Sequence, residues 1–308
     1  MFGSENMTFT TRLKEEISKL DNNDIENRSI IDAYLRYNSE IGKNKIVITM
    51  ENASVSRFIY KIIKELFKVN PKVIVRVQKR FRIKQIYILE INEKVDFIIN
   101  SLGLKSIPII DSDEEKISFL KGAFLGVGNV SNPKTSGYHL EYILGNENDA
   151  NYLSTLLNYF NLNSKVIKRG YKYITYIKMS ESISDLIKMF RAVNSLFEFE
   201  DIRIYRDHKN MVNRLNNCET ANMEKTIQSG LKQLDDIKYL EEHDLINLLD
   251  DNLKIVVEYR KKYPEVSYQE LADIISMETN YKVGKSGINH HFIKLRKIKN
   301  NHMNIEKK

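Results

Sequence analysis

Over about the first 200 residues, apolar positions alternate between helical and strand periods. Residues 24–37 (DIENRSIIDAYLRY) place Ile30, Ile31, Tyr34 and Leu35 on one helical face. A strand pattern follows at 45–49, then a helix over about 52–67 with Val55, Ile59, Ile62, Ile63 and Leu66 as its stripe. Strands at 73–78 and 82–91 flank Lys79-Arg80-Phe81, and a helix over 93–102 closes the stretch.

The next stretch repeats the order. A helix over 114–127 is capped by Ser112 or Asp113, with Glu114 and Glu115 in its first turn. Strands at 129–130 and 138–144 lead to a helix at 147–160 that turns Leu153, Leu156 and Leu157 inward. Strands at 165–168 and 171–178 enclose Arg169-Gly170, and a helix follows at 182–190. The order α-β-β-α-β-β-α is expected twice, joined by 103–111 with its Pro108, although only one strand is legible before the second helix of the first copy. The copies share pattern rather than sequence, and they predict two small antiparallel sheets with helices on one face and the other face open.

Past residue 200 the strand signals stop. Met223, Ile227, Leu231, Leu234 and Ile237 recur at helical spacing, which predicts one long amphipathic helix. Three further helices are expected, at 245–263 (ended by Pro264), at 267–276 (SYQELADIIS) and at 285–299 (KSGINHHFIKLRKIK). Ser267 and Glu270 have capping-box spacing, and a polar loop over 277–284 precedes the last helix. That helix gathers Ile288, Phe292, Leu295 and Ile298 on one side. A domain boundary is expected within about 200–245.

Composition supports packed domains: 308 residues, 42% hydrophobic and 29% charged, is a length for two or three domains and not a disordered balance. No apolar run approaches the roughly 20 residues of a membrane span. The opening MFGSENMTFTTRLKEE lacks the basic start and apolar stretch of a secretory signal. Cys218 is the single cysteine, which excludes an internal disulfide and a zinc site of paired thiolates. The expectation is a soluble intracellular protein without a membrane partner.

Charge narrows the partners. There are 48 basic and 41 acidic residues, and residues 281–308 hold eight Lys/Arg against one acid while the rest balances. A positive field at one end suits an anionic partner such as nucleic acid, and equally a solvated lysine-rich terminus. The last two helices add a helix-turn-helix pattern, in which one helix braces the other against the major groove. Ser267 and Gln269 open the first of them. Ser286, Asn289, His290, Lys294, Arg296 and Lys297 lie off the apolar side of the second. Lys285, Lys294, Arg296, Lys297 and Lys299 suit phosphates, and Asn289 can read an adenine edge.

A second basic surface is possible to read on the strands of the first copy, where Lys72, Arg76, Lys79, Arg80, Arg82 and Lys84 occur without an acid. Lys165, Lys168, Arg169, Lys172 and Lys178 occupy the matching strands of the second copy. These suit phosphates on an open sheet face, or the blunting of exposed strands.

Catalytic constellations are scarce. His139, His208, His243, His290, His291 and His302 show no metal-ligand spacing, and Cys218 has no base beside it. Gly126-Val127-Gly128 lacks the rest of a dinucleotide fingerprint. No metal, cofactor or catalytic residue is expected.

SFLKGAFLGVGNV (118–130), EDIRIYRDHKNMVNRLNNCETANMEKT (200–226) and SYQELADII…KSGINHHFIKLRKI resemble the WhiA family of bacterial regulators, most distinctively in the 212–222 run. The resemblance implies an α+β fold: a pseudo-twofold LAGLIDADG homing-endonuclease-like domain, then an all-α helix-turn-helix domain. The implied halves are 1–110 and 111–200, followed by a long helical linker at 201–244 and a DNA-binding domain at 245–308. It also implies duplex DNA as partner, a nucleoid location in the cytoplasm, and transcription regulation linked to sporulation, cell division or chromosome segregation. A composition heavy in lysine, isoleucine and asparagine suggests an AT-rich genome and turns the expectation toward division and chromosome maintenance.

Active LAGLIDADG enzymes end each motif helix with an acid that holds divalent metal. Alignment of 120–128 (LKGAFLGVG) puts Val127 at that position, and 31–39 (IDAYLRYNS) puts Asn38 there. Neither supplies a carboxylate, so a fold that kept its shape and lost its metals is expected, with Gly122 and Gly128 retained for helix packing and the turn. Two alternatives stay open: a nucleoid scaffold whose LAGLIDADG-like domain binds a protein partner, and a residual endonuclease.

Overall fold

A computed structural model of the chain describes residues 7–78, 84–135 and 137–306. The turn residues Lys79, Arg80 and Phe81, and with them Arg82, lie outside the described residues, as does the side chain of Lys84.

The first helix among the described residues, α1 (Phe9–Ile17), is not among the elements expected from the sequence. Thr8 caps it, its hydroxyl accepting from the Thr11 amide, and Phe9, Leu13 and Ile17 are buried. The first copy then runs α2 (Asp24–Asn38), β1 (Ser39–Ile41), β2 (Ile46–Met50), α3 (Ala53–Phe67), β3 (Lys72–Gln78), β4 (Lys84–Ile91) and α4 (Val95–Leu102). The second runs α5 (Asp113–Val127), β5 (Gly128–Val130), β6 (Leu140–Leu144), α6 (Glu147–Tyr159), β7 (Lys165–Arg169), β8 (Lys172–Ile177) and α7 (Ser180–Met189). Each copy folds into a four-stranded antiparallel sheet of the same order, β1-β2-β4-β3 and β5-β6-β8-β7.

The correspondence extends to detail. Helices α2 and α5 are both 15 residues long, and both begin with a capping box, Asn23 with Glu26 and Ser112 with Glu115. Ser112, not Asp113, is the cap of α5. The two helices pack along each other at the middle of the first unit. Their approach is close because α5 carries glycine at the contact: a Cβ on Gly122 would lie 2.2 Å from the Ile30 carbonyl oxygen, and one on Gly126 would lie 2.9 Å from Asn38 Cβ. Ile30, Ile31, Tyr34, Phe119, Leu120 and Ala123 fill the space around them.

Past α7, α8 (Val193–Glu242) is one helix of 50 residues. The chain divides into two compact units, Met1–Asp207 and His208–Lys308, so the division falls inside this helix. In the second unit the end of α8 joins a 3-10 turn (Ile246–Leu248), α9 (Asp251–Lys262), α10 (Tyr268–Glu278) and α11 (Lys285–Glu306). The stretch read from sequence as linker contributes Ile237 and Leu240 to this unit's core, beside Leu253, Val256, Leu271, Ile275, Ile288, Phe292 and Leu295. The single helix expected over 245–263 is also corrected: Asp250 accepts from the Leu253 amide and starts α9 afresh after the turn. Among the described residues, no helix is long and apolar enough to cross a membrane.

Candidate nucleic-acid interface

The second unit assembles around a buried arginine. Arg260 of α9 is 1% exposed and donates to the carbonyls of Tyr263, Pro264 and Val266 at 3.1, 3.3 and 2.8 Å, fixing the connection into α10. Its guanidinium stands 5.5 Å from the ring centre of Phe292, whose other neighbour is the Tyr268 ring, stacked at 5.8 Å and 14°. Stacking and carbonyl acceptance together make burial of this charge tolerable. Ser267 then caps α10 with Glu270, whose carboxyl the Ser267 amide holds below the usual range. Leu271, Ala272 and Ile275 set α10 against Ile288, Phe292 and Leu295 of α11. The loop between the helices is tied by Ser276, whose hydroxyl donates to the Val283 carbonyl and accepts from the Val283 amide, both at 3.2 Å.

This packing decides which part of α11 faces outward. Ser286, Asn289, His290, Ile293 and Lys297 are exposed on the side away from the buried stripe, as is Lys285 at the helix start. The cations expected to meet phosphate divide into two groups. Arg296 and Lys299 both pair with Asp236 of α8, at 3.1 and 2.8 Å, and Lys294 pairs with Asp250 at 2.5 Å. Lys285 and Lys297 have no ion pair among the described residues. Ser267 is occupied as the cap of α10, and Gln269 donates to Asp273 one turn along at 2.9 Å. His291 turns inward, its Nε2 2.6 Å from the Tyr281 hydroxyl and its Nδ1 buried without a partner. Burial, foremost, lowers its pKa and keeps it neutral near pH 7. Ile293 falls outside the apolar pattern read from the sequence; its offset from the Ile288, Phe292 and Leu295 stripe is the signal that could find it.

Strand register sorts the second basic group. Ile48, Leu89 and Val73 share one sheet face, and Leu89 and Ile48 are buried there under the helices. Lys72 and Arg76 therefore belong to the opposite face, where Lys72 stands across from Glu90 and Arg76 from Ile86. In the second sheet Lys165, Arg169 and Lys172 occupy that opposite face, whereas Lys168 pairs with Tyr173 on the helix side. The centre of this face is apolar: Ile143, Ile174 and Ile167 stand side by side on neighbouring strands, and Ile167 is 43% exposed.

At the ends of the motif helices, Asn38 is the last residue of α2 and Val127 the last of α5. The Asn38 amide donates to the Tyr34 hydroxyl at 3.1 Å and the Thr49 carbonyl at 3.5 Å. Val127 packs against the core. An isopropyl group has no oxygen to offer a hard divalent cation and a carboxamide brings no charge, so neither helix end supplies the carboxylate such an ion is held by. Among the described residues, no group of three or more His, Cys, Asp or Glu could hold a metal ion.

Comparison with known proteins gives a consistent match along the chain. The family descriptions WhiA N-terminal LAGLIDADG-like domain, WhiA LAGLIDADG-like domain and WhiA C-terminal HTH domain match residues 25–105, 116–209 and 212–299. Proteins described as probable cell division protein WhiA in Staphylococcus aureus strains JH9 and Newman are 36% identical over 302 residues, 94% of this chain and 95% of theirs. The crystal structure of full-length DUF199/WhiA from Thermatoga maritima superposes with a TM-score of 0.57 at 24% identity, covering 96% of this chain and 99% of that one. That of the N-terminal LAGLIDADG domain of DUF199/WhiA gives 0.50 at 22% identity, covering 62% of this chain and 93% of that one.

Proposed function

This chain belongs to the WhiA family, and on that footing we propose that it is a non-catalytic, sequence-preferring DNA-binding regulator acting in cell division and chromosome segregation. The observation that carries the reading is the outward face of α11: Ser286, Asn289, His290 and Lys297 exposed on a helix whose other side is locked to α10. Asn289 matches the donor and acceptor of an adenine edge, His290 adds a polar group beside it, and Lys285 and Lys297 supply phosphate contacts. Lys294, Arg296 and Lys299 flank this face and hold α11 to α8 and α9 through Asp236 and Asp250. The location that follows is the cytoplasm, on the nucleoid.

Absence of catalysis is supported by the chemistry of Asn38 and Val127, which offer no carboxylate where the fold's nucleases bind metal. Purified protein with magnesium or manganese is expected to leave duplex DNA intact. The regulator reading is tested by selecting duplexes from a random library with the full chain and measuring affinity against unrelated DNA. A preference of about 10³-fold or more is expected. Equal affinity for all duplexes would instead favour the nucleoid scaffold.

A second reading attaches to the sheet faces. Exposed Ile167, beside half-buried Ile143 and buried Ile174, suits an apolar protein surface better than phosphate, with Lys165, Arg169 and Lys172 around it. In this reading the LAGLIDADG-like domain holds a protein partner while α11 holds DNA.

A further inference from the structure

The outward face of α11 carries one residue that hydrogen bonding and charge leave without a role. Ile293 is 58% exposed, while Ile288, Phe292 and Leu295 on the other side of the helix are buried. Asn289 stands one turn before it and Lys297 one turn after, because residues four apart share a helical face. A scattered exposed apolar residue is ordinary on a protein surface. Ile293 differs by its place, at the middle of the stripe formed by Ser286, Asn289, His290 and Lys297.

That stripe is the surface a recognition helix lays on base edges. In the major groove the four bases offer donors, acceptors and one apolar group, the thymine 5-methyl. From this geometry we infer that Ile293 is a specificity-determining residue that packs on a thymine methyl, so that the site read by α11 contains an A·T pair beneath it. The inference rests on the reading of α11 as the DNA-contacting helix. Placement follows as well. Four residues of helix advance about 6 Å, and successive bases are about 3.4 Å apart. The thymine met by Ile293 therefore lies within about two base pairs of the adenine read by Asn289.

Replacing thymine by uracil removes this methyl and leaves every hydrogen-bonding group in place. The experiment uses the full chain and the duplex it enriches from a random library. Each thymine is exchanged singly for deoxyuridine, and binding is measured with wild type and with Ile293→Ala. Because Ile293 is exposed and alanine favours helix, the variant is expected to keep the fold, checked by circular dichroism. One thymine should lose about fourfold in affinity with wild type on losing its methyl. The same exchange should change nothing with Ile293→Ala, which should itself bind the thymine duplex about as weakly as wild type binds the uracil one. If no exchange matters to wild type, or if the loss persists undiminished in Ile293→Ala, the inference is overturned while DNA reading by α11 stands, provided Asn289→Ala still abolishes the preference. If no duplex is enriched at all, the underlying DNA reading falls, and the inference falls with it.

Discussion

Replacing Gly122 by alanine tests the helix pair on which the first unit is built. The added Cβ would sit 2.2 Å from the Ile30 carbonyl oxygen and 2.8 Å from the Ile30 Cα and carbonyl carbon. Unstrained carbon contacts need roughly 3.5 Å, so relief requires α2 and α5 to part by about 1 Å along their length. A gap of about 0.5–1 Å forfeits a quarter to a half of each dispersion contact it opens. Those contacts include Ile30, Ile31, Tyr34, Phe119, Leu120 and Ala123, all buried. Overpacking typically costs about 1–3 kcal/mol, and opposing backbone cannot rotate aside as a side chain can. Alanine returns about 1 kcal/mol of helix propensity. Because the clash is with backbone, the cost falls at the upper end of the overpacking range, and the net expectation is a loss of about 2 kcal/mol, a fall of roughly 4–8 °C in the melting temperature of a unit this size. Gly126→Ala meets only the Asn38 side chain, at 2.9 Å, and should cost less. Thermal and urea unfolding of the full chain, followed by circular dichroism, reads both. A Gly122→Ala protein as stable as wild type, or more stable, would refute the close-packing argument.

Three further outcomes concern buried or paired charges. Lys121 is buried on α5, with the Asn22 side-chain oxygen at 3.3 Å, and burial first, then Arg191, pulls its pKa down to about 8 against the pull of Glu26. The cost of this depressed pKa is fully present at pH 7 and is relieved as pH rises from about 8 toward the unfolded value, so Lys121→Met should raise stability by about 2 kcal/mol at neutral pH and flatten that rise; a destabilised variant would contradict it. The depressed pKa of His291 makes its contribution fully present above the unfolded value near 6.5 and lost as pH falls through the folded one, so urea midpoints of the second unit should drop on acidification in wild type and less in His291→Gln, equal slopes sinking the idea. Asp236→Asn removes the carboxylate that ties Arg296 and Lys299 to α8 and should lower the urea midpoint of the second unit modestly, while the two freed cations tighten duplex binding and steepen its salt dependence; an unchanged midpoint would contradict the holding role and weaker binding the electrostatic one.

The repeated fold is legible because each half keeps its apolar residues at the period of its element, and because Ser267 with Glu270 and the acids after Ser112 announce helix starts. Short or leading elements are harder to read. β1 is three residues long and none of them is buried, so it carries no alternation to read, whereas the equally short β5 buries Gly128 and Val130. α1 goes unread although Phe9, Leu13 and Ile17 recur at helical spacing behind Thr8, because three apolar residues in a nine-residue helix make a weak stripe. Partners distant in sequence are not readable at all. Nothing local distinguishes the buried Arg260 from its neighbours Lys261 and Lys262, which pair at the surface with Glu241 and Glu278. Likewise, the engagement of Arg296 and Lys299 by Asp236 depends on how α8 crosses α11, so five candidate phosphate contacts read alike in sequence although three are paired in the structure. On the sheets, alternation can show only that some strand cations share a face. Pairing register is needed to separate Lys168 from Lys165, Arg169 and Lys172.

Whether α11 is the DNA-contacting element is decided by the salt dependence of duplex binding in two full-length double variants. Lys285→Gln with Lys297→Gln removes two unpaired cations from α11, and Lys72→Gln with Arg76→Gln removes two from the first sheet. Removing one cation from a phosphate should lower the slope of log affinity against log salt by roughly 0.9. The slope should be shallower by nearly two for the α11 pair and unchanged for the sheet pair. A shallower slope for the sheet pair with the α11 pair unchanged would contradict that role for α11 and move the DNA to the sheets.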